Sequence, residues 1–220
     1  MPSSQVAAQV QSLVAAQLQE LLLQSLEHEK GGVEIYQTAL QCVRNDDLKE
    51  EWEKYLDQTE NHVAILTEAC EALGLDTSQP TPGCEIVQHV GQALVEAMKM
   101  AARGNEPAAA ELVACECIVL AETKDHFDWE MIAECAKAST SDEQQEILQM
   151  ATDQVEDEED EHLYHTKGWC RELWLKSLGM NAEAAKVEKS RKQLDCCHPV
   201  ASSWSSSTRS RAVGVLLPGR

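Results

Sequence analysis

The chain has 220 residues, with 18 basic against 38 acidic side chains and a formal charge of −20. Aromatic residues make up 4%, and the 10 Gly and 6 Pro come to about 7% of the chain where about 12% is usual, which argues against a turn-rich β-sandwich or barrel and for helices. The acid excess argues against nucleic-acid binding, which needs clustered Lys and Arg, and favours attraction of cations, metal ions included.

Proline positions organise the chain. They fall at 2, 80, 82, 107, 199 and 218, leaving Pro-free arms 3–79 and 108–198 that each read as a helical hairpin. The first arm predicts a helix from about Gln5 to Val43 and another from about Asp46 to Leu73, with Asn45 and Asp46 able to cap and Gly74 as the stop. Residues 77–83 form a linker, and 84–102 a shorter amphipathic helix ending before Gly104. The second arm predicts a helix over about 106–138, with Pro107 in its first turn, and a last one to Leu178, opened by Ser141-Asp142-Glu143-Gln144 as a capping box. The expected architecture is all-α, a four-helix bundle of two hairpins with a long middle crossover. It occupies residues 1–189, with its core in 20–178. Residues 190–220 hold five basic groups against one acid and many serines, and read as a disordered basic tail.

No apolar run reaches about 18 residues, so no membrane span is expected. The early apolar residues are interrupted by Gln5, Gln9, Gln11, Gln17 and Gln19 and follow no basic segment, so no signal peptide is expected either. The nine cysteines contain no C-x-x-C pair, which argues against a zinc ribbon. Together these place the chain in a reducing cytoplasm.

The inward stripes, read at helical spacing, carry ionisable groups near their middles. They run Leu22, Leu26, Glu29, Val33, Tyr36 in the first helix, and Trp52, Tyr55, Thr59, His62, Leu66 in the second. The helix after Pro107 gives Cys115, Val119, Glu122, His126, Trp129, Ala133, and the last gives Val155, Glu158 or Glu159, His162, Trp169, Leu173. A buried carboxylate costs several kcal/mol unless it is paired or binds a metal. Four such intrusions at matching depth are hard to put down to chance, and they bring forward Glu29, His62, Glu122, Glu158 or Glu159, and His162 as candidate ligands, with His126 a further one.

The two arms also look like copies. A shift of 93 lays Glu29, Tyr36 and Cys42 onto Glu122, Trp129 and Cys135, and a shift of 100 lays residues 57–62 onto 157–162. The shifts differ by seven residues, two helical turns, so the inward faces are kept. One Glu on the first helix of each hairpin and Glu-x-x-His on the second is the arrangement of carboxylate-bridged dimetal bundles. In these elements the sequence resembles the ferritin-like superfamily, and the rubrerythrin-like branch especially, over roughly residues 20–178. It departs at Thr59, which stands where Glu-x-x-His would begin, and it lacks the Cys-rich electron-transfer module of rubrerythrins.

The resemblance implies iron or manganese, one or two non-haem ions, with Glu29 and Glu122 as terminal ligands, Glu159 as the bridge and His62 and His162 as nitrogen donors. It further implies oxidase or peroxidase chemistry with a small oxidant such as oxygen or peroxide, or the handling of iron. Thr59 leaves open whether the protein is an enzyme. A metal-free helical interaction protein is the alternative reading. The uncharged N-terminal stretch with Val6, Val10 and Leu13 offers a surface for a partner or a second copy, so a homo-oligomer, in the simplest case a dimer, is expected.

Overall fold

The computed structural model describes residues 4–180, with no side-chain detail before residue 15. Val6, Val10 and Leu13, and the basic tail 190–220, therefore lie outside the described side chains. Five helices make up the described chain: α1 (Ser4–Ala39), α2 (Asp46–Ala72), α3 (Pro82–Ala102), α4 (Pro107–Ala138) and α5 (Asp142–Ser177). None is long and apolar enough to cross a membrane.

Their ends follow from local chemistry. Asn45 caps α2 by accepting from the Asp47 and Leu48 amides, Thr81 caps α3 by accepting from Cys84, and Ser141 caps α5 by accepting from Gln144. Gly74 takes φ +73° just beyond α2, so that Leu75 N–H reaches Cys70 C=O and the last turn closes. The first helix stops at Ala39, four residues short of the expected Val43. There the Gln41 and Cys42 amides bond back to carbonyls three residues earlier. The Arg44 and Asn45 amides are taken by the buried Glu111 Oε1, at 2.8 and 2.7 Å. Burial of Glu111 thus serves the fold, since its carboxylate ties the turn before α2 to α4 and satisfies two amides that a helix start leaves open.

Helix α1 packs on α2 and α4, and α5 packs on α2 and α4, so four helices close a ring; among the described residues α3 lies against α1 and α4 only. Two apolar clusters fill it. One holds Ile35, Tyr36, Trp52, Tyr55, Met98 and Ile118; the other holds Leu22, Leu26, Leu66, Ile132, Leu148 and Val155. The layer between them is polar. Gly31 and Gly32 do not break α1, and Gly32 has a purpose there. A Cβ at Gly32 would sit 3.2 Å from Thr59 Cγ2, tighter than ordinary contact, so its absence lets α1 and α2 approach beside Glu29.

Candidate metal centre

Glu29, His62, Glu122, Glu159 and His162 converge in this middle layer from α1, α2, α4, α5 and α5, each no more than 3% exposed. They form two groups. Glu29, His62 and Glu159 each offer an atom within 4.8 Å of the others, and so do Glu122, Glu159 and His162. Glu159 belongs to both. His62 Nδ1 lies 2.9 Å from Glu159 Oε1 and 3.7 Å from Glu29 Oε1; His162 Nδ1 lies 3.6 Å from Glu122 Oε2 and 3.8 Å from Glu159 Oε1.

The repeat governs how these groups are held. Tyr36, seven residues after Glu29, donates its hydroxyl to Glu122 Oε1 at 2.7 Å. Trp129, seven residues after Glu122, donates its indole N–H to Glu29 Oε1 at 2.7 Å. Each arm thus supplies the donor for the other arm's carboxylate. The histidines follow the same crossed rule. His62 Nε2 meets Glu158 Oε2 at 2.8 Å, and His162 Nε2 meets Gln58 Oε1 at 3.0 Å, positions 58 and 158 being equivalent under the shift of 100. Outer partners on Nε2 turn both Nδ1 atoms inward, the way an outer shell orients a ligating imidazole. The two rings stack with centroids 5.6 Å apart.

Among the described residues, nine buried side-chain N or O atoms have no hydrogen-bond partner. Seven belong to this cluster: Glu29 Oε2, His62 Nδ1, Glu122 Oε2, Asp125 Oδ1, both Glu159 oxygens and His162 Nδ1. Buried polar atoms are normally paired, and six of these seven, all but Asp125 Oδ1, sit on the two groups of residues that could hold a metal ion. The donor set of carboxylate oxygens and imidazole nitrogens fits such an ion.

The electrostatics agree. Burial, and then the charge of Asp125, push the Glu29 carboxyl well above its ordinary range, and burial with the charges of Glu122 and Glu29 does the same to Glu159. Burial also lifts Asp125 and lowers His62. Glu122 runs the other way: burial acts to raise it, but His162 and the Tyr36 hydroxyl outweigh that and hold it below the usual carboxylate range. Without a cation, burial therefore favours the protonated form of Glu29, Glu159 and Asp125, and Glu122 is the carboxylate that favours its charged form. Because Glu122 leans on Tyr36, Tyr36→Phe should destabilise the protein by about 1–3 kcal/mol, the cost of stranding a buried charged acceptor, read as a lower urea midpoint.

One placement differs from the sequence reading, while Glu159 and Thr59 lie where it put them. Asp125, 4% exposed, takes the inner position on α4, one turn beyond Glu122, while His126 turns to the α4–α5 edge and meets Asp160 Oδ1 at 2.8 Å. The Glu-x-x-Asp spacing of 122 and 125 is the signal that marks Asp125. Glu159, rather than Glu158, is the inward acid of α5. Thr59 is buried and donates to Tyr55 C=O at 2.9 Å, while Glu60 is exposed, so α2 contributes no carboxylate.

Compared with family models, curated proteins and solved structures, the chain finds no match in any of the three.

Proposed function

We propose that the protein is a metal-binding bundle of the ferritin-like kind, holding two divalent ions, iron or manganese, in the layer between its two apolar clusters. The observation that carries this is the pair of buried Glu/His groups sharing Glu159, with both imidazole Nδ1 atoms unpartnered and turned inward. Glu29 with His62 would hold one ion, Glu122 with His162 the other, and Glu159 both. Asp125 stands beside the pair as a fourth carboxylate. When bound, such ions supply redox chemistry toward oxygen or peroxide. The chain's own part is to fix the donors on four helices and to bury them between two apolar clusters. Two hairpins joined through 73–106, with α3 in the connection, match a bundle with one crossover.

Anaerobic titration of the metal-free protein with Mn(II) or Co(II) tests the reading. Saturation near two ions per chain supports it; no binding above that of exposed acids refutes it. The departure at position 59 gives a second test. Thr59→Glu would complete a second Glu-x-x-His with His62 on α2 and supply the missing second bridge. Tighter binding in that variant is expected, and the same titration reads it.

A further inference from the structure

A cavity of about 260 Å³ opens between α4 and α5 beside the buried cluster. Its inner end is formed by Glu159, 2% exposed with both carboxylate oxygens unpartnered, and by Trp129, the donor to Glu29. Its mouth is formed by His126, Glu130, Glu156 and Asp160. His126 lies between two of these acids, with Nε2 at 2.8 Å from Asp160 Oδ1 and Nδ1 at 3.8 Å from Glu130 Oε1. Among the described residues, no Lys or Arg lines the cavity.

We propose that this cavity is the port by which a hydrated divalent cation reaches the buried centre, held in passing at the mouth by His126, Glu130, Glu156 and Asp160 and received by Glu159. The proposal rests on the reading of the centre as a metal site. Size permits it: a water occupies about 30 Å³ of liquid, so six of them need roughly 180 Å³, and the cavity accommodates an ion with its first hydration shell. Charge directs it. Three carboxylates at a mouth walled by protein focus a negative field outward and raise the local cation concentration. The order of donors does the rest. Exposed carboxylates bind a hydrated ion weakly, and the unpartnered Glu159 at the inner end exchanges its waters for fixed ligands. A second cavity, about 120 Å³ between α1 and the 77–80 loop, touches none of the cluster's donors and offers no such route.

Anaerobic stopped-flow loading of metal-free protein with Co(II), followed by its visible absorption, separates the port from the centre. In wild type the rate should fall as salt is raised, because screening removes the steering. Combined E130Q, E156Q and D160N should slow loading about tenfold or more and flatten the salt dependence, while the final absorbance and the ions bound per chain stay at wild-type values. Ala133, in the apolar wall, gives an independent variant: A133F should block the passage sterically and slow loading without altering the end point. Loading at the wild-type rate in both variants, or a lowered end point in the charge variant, overturns the port and leaves the centre standing. A wild type that takes up no Co(II) overturns the centre, and the port falls with it.

Discussion

Replacing Glu159 by Leu should make the metal-free protein more stable, by about 1–4 kcal/mol, and should abolish its response to metal. The sign is unusual, since most substitutions of buried residues destabilise. It follows from the two oxygens of Glu159, both buried and both without a hydrogen-bond partner. Such a group costs free energy through desolvation: ionised, it faces Glu122 and Glu29, and protonated, it has only His62 Nδ1, 2.9 Å from Oε1, within reach. Leu removes that cost and joins Val155 and the neighbouring apolar cluster on α5. Wild type should instead gain about 2.7 kcal/mol when free metal is 100 times its dissociation constant, and the Leu variant should gain nothing. Thermal melts of both proteins with and without Mn(II) read all four states. A Leu variant that is destabilised, or that still responds to metal, would mean that Glu159 is not the shared ligand.

The second large effect is on pH. Glu29, Glu159 and Asp125 have folded-state pKa values raised by burial and mutual charge, so the metal-free cluster carries protons that an incoming cation must displace. Metal affinity should therefore climb as pH rises from 6 to 8, by about tenfold per unit for each proton released. Metal-free stability should move in the opposite direction. A carboxyl raised on folding contributes its stability fully below its unfolded pKa and loses it as pH rises toward the folded value. The metal-free protein should accordingly melt higher at pH 5 than at pH 8, and Glu159→Leu should reduce that difference. Binding that is indifferent to pH between 6 and 8 would contradict the proton inventory.

How far these residues could be read beforehand depended on the helix they sit on. On α2 and α5 the apolar stripes are separated by charged residues, so the helical phase is unambiguous and His62 and His162 follow from it. Helix α4 is different. From Ala114 to Leu120 it is apolar on nearly every side, because α3 packs on it as well as α1 and α5. Its phase cannot be fixed by pattern alone, and a shift of one residue exchanged His126 for Asp125. Glu158 and Glu159 differ by the same single step within an acidic run, and the spacing to His162 decided between them. The crossed contacts, Tyr36 to Glu122 and Trp129 to Glu29, were beyond any local pattern, since they depend on which helix faces which. Yet they preserve the repeat, as do Gln58 and Glu158, and so tie the sequence symmetry to the geometry of the centre.

Whether two ions share Glu159 can be seen by anomalous scattering from crystals grown metal-free and then loaded with Mn(II). Two peaks are expected in the middle layer, about 3.5–4 Å apart, one beside Glu29 and His62 and the other beside Glu122 and His162, with Glu159 between them. Peaks confined to exposed acids such as Glu130 or Glu156, or an empty middle layer at saturating Mn(II), would refute the shared centre.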